Sequence, residues 1–201
     1  MYITVASYKG GVAKTTSAVH LAAYFQRLAP TLLIDGDPNR SATAWAKRGK
    51  LPFAIADAAE GTYQARNYQH VIIDTEARPG QADLESLAKG CDLLVIPAVP
   101  STLDTDALVL TIGAVHQLAP EKYRVLLTKV PPPPESDGRL LREELERQKV
   151  PVFSAGIPRL KAFEKAAADG VAVSEVNDPR AVRGWKAYAA VGREITHGRK
   201  R

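Results

Sequence analysis

The sequence has a single cysteine and lacks any apolar run long enough to cross a membrane. The lone Cys91 excludes a disulfide within the chain and any metal or iron–sulfur site made only of cysteines from one chain. No apolar run approaches the roughly 18 residues that a membrane-spanning helix requires. The N-terminus has no charged leader before its short apolar stretch, which predicts a first strand and not a signal peptide. We therefore expect a cytoplasmic protein.

Positive charge is concentrated at the C-terminal end of the chain. Residues 180–201 contain seven basic residues and one acid, a net charge of +6, whereas the whole chain carries +5. The other 179 residues therefore carry a net charge of −1. The basic residues of this segment are Arg180, Arg183, Lys186, Arg193, Arg199, Lys200 and Arg201. A local basic surface indicates a polyanionic partner, either nucleic acid or an anionic membrane, and the alternative is a solvated helix face with a frayed tail.

Short apolar runs alternate along the chain with longer segments rich in alanine and leucine. The predicted strands are Tyr2–Ala6, Thr31–Ile34, His70–Ile73, Leu93–Ile96, Tyr123–Leu127 and Val152–Ile157. The predicted helices are Lys14–Arg27, Ser41–Arg48, Gln81–Lys89, Asp104–Leu118, Asp137–Gln148, Leu160–Ala168 and Ala181–Glu194. This alternation predicts an α/β fold with right-handed crossovers, in which helices flank both faces of a mostly parallel twisted sheet.

The length favours one domain over residues 1–196, which includes a basic C-terminal helix at 180–196. The last residues, 197–201, are expected to form a disordered basic tail. Ligands of mostly parallel sheets bind beyond the carboxyl ends of the strands, so the motifs at those ends are the candidate sites.

A candidate phosphate-binding loop follows the first predicted strand and opens the first predicted helix. Its residues are Lys9, Gly10, Gly11, Val12, Ala13, Lys14, Thr15 and Thr16. Glycines let the backbone curl so that successive N–H groups point at phosphates, and the helix N-terminus adds partial positive charge. Lys14 would reach the β- and γ-phosphate oxygens, and the Thr15 hydroxyl would coordinate Mg²⁺. The alternative is a chance Gly–Gly turn between a strand and a helix.

The ordinary phosphate-loop pattern is not met, because Tyr8 and Ala13 occupy two of its glycine positions. The pattern that is met, K-G-G-x-x-K-[ST], is a deviant Walker A box and resembles that of the ParA/MinD family of partition and positioning ATPases. The similarity is greatest to the short plasmid-partition ParA type. It implies a P-loop NTPase that binds ATP and Mg²⁺, in which Lys9 crosses a dimer interface to the nucleotide of the other subunit. Most relatives have Gly at the position of Ala13, where a methyl group can be tolerated if φ is negative.

A second motif, D-x-D-P-x-x-S, follows the second predicted strand and also resembles the family pattern. Asp37 would lie near the γ-phosphate, where a carboxylate can orient the attacking water or accept its proton. Asp35 is expected to support the loop and the Mg²⁺ shell. The alternative is a helix N-cap turn, and Ser41 is expected to act as that cap. The resemblance thus implies catalytic roles for Lys9, Lys14 and Asp37.

The third predicted strand ends at Asp74, which resembles a Walker B aspartate. Asp74 is expected to hold Mg²⁺ through water, because Mg²⁺ loses its hydration shell reluctantly. Glu76 and Arg78 depart from the small or proline residues that relatives have after this aspartate. A weaker resemblance covers Pro158 and Arg159, which lie in the region that shapes the adenine pocket of the family. The predicted magnesium ligands are Thr15, Asp35 and Asp74.

Apolar residues recur at helical spacing near the C-terminus, at Val182, Trp185, Ala189 and Val191. We expect this stripe to pack Trp185 on the domain as an ordinary terminal helix, with the basic residues largely off the stripe. Basic side chains that neutralise DNA phosphates bind DNA without sequence preference. MinD-type relatives instead insert an amphipathic C-terminal helix into membrane, but residues 196–201 are too polar and too interrupted by glycine for stable insertion. DNA is therefore the favoured partner.

The resemblance implies a partition ATPase associated with the nucleoid, or a related ATPase that positions another cargo. ATP would join two subunits, the dimer would bind DNA, and slow hydrolysis stimulated by a cargo or centromere-binding adaptor would release both. Two alternatives remain: a MinD-like membrane-cycling regulator, and a scaffold that binds ATP without hydrolysing it. Ala13 and the altered segment from Glu76 to Arg78 are the reasons for retaining the scaffold as an alternative.

Overall fold

A computed structural model describes residues 1–7, 9–77, 86–100, 113 and 120–198 of the chain. The strands are β1 (Tyr2–Ser7), β2 (Thr31–Asp35), β3 (Ala54–Asp57), β4 (His70–Ala77), β5 (Leu93–Ala98) and β6 (Tyr123–Leu127). The helices are α1 (Lys14–Gln26), α2 (Ser41–Ala46), α3 (Ala58–Gln64), α4 (Asp137–Arg147), α5 (Lys161–Asp169) and α6 (Ala181–Gly198). Short 3-10 turns occur at Ala65–Asn67, Pro120–Lys122 and Val173–Glu175.

Within the described residues the strands form one six-stranded sheet in the order β3-β2-β4-β1-β5-β6. Every neighbouring pair is parallel. Strands β1, β2 and β5 are buried along most of their length, as expected for strands covered on both faces. The register places Asp35 of β2 beside Asp74 of β4, so two candidate site residues emerge at the same edge of the sheet. The predicted α/β fold with a mostly parallel sheet is confirmed.

Helix α1 contacts both the sheet and the C-terminal helix α6. Its residues Ala18, Leu21 and Phe25 are fully buried. On α6, Gly192 allows the two helices to approach closely, because a Cβ at this position would clash with the ring of Tyr24. The helix that starts at the phosphate loop is therefore packed directly against the basic C-terminal helix.

The strand predicted at Val152–Ile157 is wrong. Val152 forms one isolated bridge, with Val125, and the N–H groups of Phe153 and Ile157 donate to carbonyls of β6, but the segment forms no ladder in the described part of the chain. The backbone N–H groups of Ser154 and Ala155 donate instead to the carboxylate of Glu194, at 3.0 and 3.1 Å. A side chain of α6 thus replaces a strand partner, which is a tertiary effect that local β propensity does not contain.

Two elements, β3 and α3, are absent from the sequence-based prediction. The edge strand β3 has the sequence AIAD, and alanine and aspartate carry little β propensity. Helix α3 follows at once because the Asp57 side chain caps it by accepting the Glu60 N–H at 2.9 Å. The C-terminal boundary also differs: α6 extends to Gly198, so His197 and Gly198 are helical and not part of a disordered tail.

The predicted helix Asp104–Leu118 lies outside the described residues apart from Gly113, which is helical. The first part of Gln81–Lys89 also lies outside them, and residues 86–89 are helical as predicted. Among the helices that the structure describes, none is both long and apolar enough to span a membrane.

Candidate nucleotide-binding site

The predicted phosphate loop connects β1 directly to α1. At its start the Ser7 hydroxyl accepts the Lys9 N–H at 3.1 Å and donates to the Lys9 carbonyl at 3.2 Å. Gly11 and Ala13 both have left-handed backbone conformations, with φ of +77° and +65°. Such residues, when they alternate with right-handed ones, gather successive N–H groups into a concave nest for anions. The loop therefore has the backbone curl that phosphate binding needs.

Ala13 does not have the negative φ at which its methyl group would be tolerated without strain. A left-handed conformation costs a residue with a Cβ about 1–2 kcal/mol. Ala13 is the N-cap of α1, and its carbonyl accepts the Ser17 N–H at 2.9 Å. Because this cap has no side-chain hydrogen bond to the helix, the first N–H groups of α1 remain directed at the loop, where an anion can accept them.

Two residues at the end of β6 hold the loop from outside, and the sequence analysis missed both. The buried Thr128 hydroxyl donates to the Val12 carbonyl at 3.0 Å. The Lys129 ammonium donates to the Gly11 carbonyl at 2.7 Å. The signal that could have found them is their position, since polar residues that directly follow a buried parallel strand lie at the ligand-binding edge.

The buried Asp74 is the clearest candidate ligand for a cation. Its carboxylate is fully buried, and neither oxygen meets a hydrogen-bond donor among the described residues. Burial raises the pKa of Asp74 to about 7, against the opposing effects of the Thr15 hydroxyl and the Lys14 ammonium. A divalent cation would compensate this buried charge, so the site fits Mg²⁺. No group of three or more His, Cys, Asp or Glu side chains could hold a metal ion by itself in the described residues.

Asp37 and Lys14 lie together at the end of the loop. The Lys14 Nζ is 4.0 Å from Asp37 Oδ2, and each side chain is only 8% exposed. The other oxygen of Asp37 accepts two hydrogen bonds from Asn39, from the backbone N–H at 2.8 Å and from the side-chain amide at 3.0 Å. Asn39 therefore fixes the carboxylate so that Oδ2 points toward Lys14. No motif in the sequence had indicated a role for Asn39.

Asp35 was predicted as a magnesium ligand, but both of its carboxylate oxygens accept hydrogen bonds from the protein. Its Oδ2 accepts the Thr43 N–H at 2.8 Å and the Thr43 hydroxyl at 2.7 Å. Its Oδ1 accepts the Asp37 N–H at 3.3 Å. Both oxygens thus hold the turn between β2 and α2, so the geometry favours a positioning role for Asp35. The predicted cap at Ser41 is wrong, because Arg40 occupies the N-cap of α2 without a capping hydrogen bond from its own side chain, and Asp35 accepts a first-turn N–H instead.

A cavity of about 360 Å³ adjoins the phosphate loop. Ala13, Thr16 and Lys129 line it on the loop side, and Pro158 and Arg159 line it from the segment before α5. This volume lies within the range of small-molecule sites in proteins. Arg159 also pairs with Glu135 at 2.9 Å. The structure thus places both predicted adenine-pocket residues beside the loop, and their contact with a base stays a prediction.

A buried histidine connects the loop to the rest of the domain. His20 Nδ1 lies 2.7 Å from the Thr16 carbonyl, and its Nε2 accepts the Val173 N–H at 3.0 Å. This pattern assigns a neutral ring that donates from Nδ1 to Thr16. Burial lowers the pKa of His20 to about 4, although the hydrogen bond to Thr16 opposes the shift. The ring stacks on Tyr188 of α6 at 4.8 Å, and the Tyr188 hydroxyl lies 3.1 Å from the Ser17 hydroxyl.

The basic residues of α6 lie on its solvent-exposed side. We call Arg183, Lys186 and Arg193 of α6, together with Arg180 directly before the helix, the basic stripe, and all four are exposed. Trp185 packs partly buried against the core, as predicted, with the Arg27 guanidinium 4.2 Å from its ring centre. Val182 is 59% exposed and does not belong to the buried side, which corrects the predicted apolar stripe. Arg199, Lys200 and Arg201 lie outside the described residues.

Residues 3–173 match the CobQ/CobB/MinD/ParA nucleotide-binding domain. The chain belongs to this family. The match contains the phosphate loop, Asp37, Asp74 and the adjoining segment at Pro158, so the family match and the geometry point to the same site. The predicted membership in the ParA/MinD family is thereby confirmed.

The relatives include a protein that this chain matches over nearly its whole length. The chain is 32% identical to "Maintenance of carboxysome distribution protein A" of Gloeobacter kilaueensis, over 96% of this chain and 93% of that protein. The fold resembles the cell division protein MinD of Aquifex aeolicus, with a TM-score of 0.75, 17% identity and coverage of 98% and 96% of the two chains. It also resembles an ATP complex of a McdA variant from Cyanothece, with a TM-score of 0.71, 17% identity and coverage of 95% and 96%.

Proposed function

We propose that the chain is an ATPase that positions a cargo in the cell, with ATP binding as its switch. The observation that carries this proposal is the cluster at the end of the phosphate loop, where the buried Asp74 lies near Thr15 and Lys14. This cluster has the charges and oxygens that a triphosphate with Mg²⁺ requires. A positioning role is supported by the relative named for carboxysome distribution, so a protein compartment is a candidate cargo beside a plasmid or chromosome.

In the proposed reaction, Lys14 binds the phosphate chain and neutralises charge on it during transfer. Thr15 and Asp74 would hold Mg²⁺, which supplies further neutralisation of that charge. Asn39 holds one oxygen of Asp37, and the other lies beside Lys14, so Asp37 is placed to orient the attacking water or to accept its proton. Transfer then depends on positioning and charge, with no covalent intermediate on the protein.

Dimerisation is the proposed output of ATP binding. Lys9 reaches the nucleotide of a second subunit, which joins the two subunits only while the nucleotide is present. A cargo-bound adaptor accelerates hydrolysis, and loss of the γ-phosphate separates the dimer. Hydrolysis of ATP thus releases the protein from the surface to which the dimer is bound.

DNA is the proposed surface on which the dimer acts. The basic stripe supports this because its guanidinium and ammonium groups are exposed on one helix. A dimer presents two such stripes, and contacts to phosphates bind DNA of any sequence. Membrane cycling is disfavoured because Tyr188, Val191 and Ile195, on the apolar side of α6, are buried within the domain.

The DNA proposal is tested by retardation of duplex DNA with MgATP and with MgADP over a range of salt concentrations. Replacement of Arg183, Lys186 and Arg193 by alanine should weaken binding and reduce the salt slope by about one for each lost phosphate contact. The matched control replaces Arg139, Arg147 and Lys149, which are exposed on and after α4. Equal loss in both variants, or binding that ignores the nucleotide, would contradict the proposal.

A non-hydrolysing scaffold is distinguished by phosphate release. The wild type should release phosphate from ATP faster than Asp37→Ala, which keeps the phosphate loop and removes the carboxylate beside Lys14. Identical rates for the two proteins, with ATP bound to both, would favour the scaffold. Liposome co-sedimentation with ATP provides the comparison with a membrane-cycling regulator.

A further inference from the structure

The end of β6 holds two consecutive carbonyls of the phosphate loop. Thr128 donates to Val12 and Lys129 donates to Gly11, at 3.0 and 2.7 Å. The Lys129 contact joins residues 118 positions apart in the sequence. Lys129 itself has a left-handed backbone, with φ of +50°. A lysine pays a conformational cost there that glycine or asparagine would avoid, which directs attention to its side chain.

The carbonyl that accepts the hydrogen bond from Lys129 belongs to a glycine, Gly11. Gly11 has φ of +77° and no Cβ, so its peptide groups can rotate at little cost unless something fixes them. In a backbone nest the N–H groups converge on one side and must stay there to receive an anion. A donor that fixes the Gly11 carbonyl therefore also fixes the Val12 N–H, which lies in the same rigid peptide plane.

We propose that Lys129 is a positioning residue for the nucleotide site, which holds the phosphate loop in its anion-binding curl before the nucleotide arrives. This inference rests on the proposed function and adds a third lysine to the two of the loop motif. The ammonium acts on the backbone of the loop, and it stabilises the bound state because less conformational freedom is lost when the phosphates bind.

Lys149 provides a matched control in the same chain. It is also an exposed lysine with a left-handed backbone, with φ of +58°, and it follows α4. Its N–H donates to the Glu146 carbonyl at 2.9 Å, within its own turn. Replacing Lys149 thus changes charge and backbone strain in the same way as replacing Lys129, without touching the phosphate loop.

The test measures nucleotide affinity by calorimetry and amide exchange of the nucleotide-free protein. Lys129→Met keeps the aliphatic stem and removes the donor, so MgATP and MgADP should both bind about fivefold more weakly, since a hydrogen bond from a charged donor is lost. Amides of residues 10–13 should exchange faster in this variant without nucleotide. Lys129→Arg should restore both properties, and Lys149→Met should match the wild type.

A second variant separates positioning from overall stability. Lys129→Asn suits the left-handed backbone, so it should unfold at the same denaturant concentration as the wild type or higher, and still bind nucleotide weakly. A variant that loses stability and affinity in parallel would indicate a merely structural role and overturn the inference.

Three other results would also decide the matter. Unchanged affinity and exchange in Lys129→Met would overturn the positioning role and leave the proposed function intact. A larger loss for MgATP than for MgADP would replace positioning with direct contact to the terminal phosphate. A wild type that binds neither nucleotide would defeat the proposed function itself, and this inference with it.

Discussion

At the scale of single residues, the phosphate loop combines a curl suited to phosphate with a backbone conformation unsuited to Ala13. Its φ of 65° is left-handed, where the methyl group approaches the following carbonyl oxygen. Lys129, just after β6, and Arg40, at the N-cap of α2, share this feature with φ of 50° and 52°. Strained backbone is thus concentrated around the candidate site, as is common where geometry serves binding.

The strain at Ala13 predicts that a substitution can stabilise the protein. Ala13→Gly removes the Cβ, and we expect the free energy of unfolding to rise by about 1 kcal/mol in urea titrations of the nucleotide-free protein. The control Ala189→Gly, in the interior of α6, should lower it by about 1 kcal/mol because glycine disfavours a helix. Equal destabilisation by both substitutions would contradict the left-handed conformation of Ala13.

The buried Asp74 predicts a stability that depends on pH. Its pKa in the folded state, about 7, is raised from 3.8, so the folded protein binds more protons between these values. Stability is therefore lost as the pH rises from 3.8 to 7, by about 4 kcal/mol in all. Asp74→Asn should abolish this loss, and the difference in unfolding free energy between wild type and variant isolates it from other titrating groups. A difference that is constant with pH would contradict the uncompensated burial of the carboxylate.

How far the site could be predicted depends on whether its contacts are local in the sequence. Lys14, Thr15 and Asp74 were singled out by short motifs that resemble the family pattern, and their roles stay predictions. Lys129 could not be found in this way, because its contact with Gly11 spans 118 positions and depends on strand order. The left-handed φ of Ala13 was also missed, because alanine disfavours that conformation and gives no sign of it.

At the scale of elements, α1 connects the candidate site to the basic helix α6. His20 lies one turn beyond the phosphate loop, where it holds Thr16 and Val173 and stacks on Tyr188 of α6. The ring packs edge-on against Trp45 of α2 as well. One buried cluster thus connects the loop to the elements on either side of it.

His20 predicts a second, opposite dependence of stability on pH. Its pKa in the folded state, about 4, is lowered from 6.5, so the folded protein binds fewer protons between these values. Stability is lost as the pH falls from 6.5 to 4, by about 3 kcal/mol in all. His20→Gln should remove this term, and NMR titration of the ring should report a pKa well below 6.5. A normal pKa for His20 would show that the ring is not buried neutral.

Prediction of elements succeeded where a strand or helix shows its own pattern and failed where neighbours decide. The continuous apolar runs of β1, β2 and β5 and the helices α1 and α4 were predicted within a few residues. Residues 152–157 have a strand-like sequence, but Glu194 takes the N–H groups that a ladder would use. The edge strand β3 is the reverse case: its sequence has little β propensity, yet it pairs with β2.

At the scale of the whole molecule, the site lies at the carboxyl edge of a parallel sheet, and the basic stripe lies on the last helix. The basic stripe was predicted from the distribution of charge along the sequence, because the excess of basic residues is confined to one segment. The order of the strands was beyond the sequence patterns, and it is this order that brings β2, β4 and β6 to the same loop. We propose that an ATP-controlled dimer links the nucleotide site to DNA binding by the basic stripe.

The most direct test of that account is the mass of the protein by sedimentation velocity with MgATP and with MgADP. The wild type should be a dimer with MgATP and a monomer with MgADP, and Lys9→Ala should be a monomer with both. A wild type of the same mass in both nucleotides would contradict the nucleotide-controlled dimer.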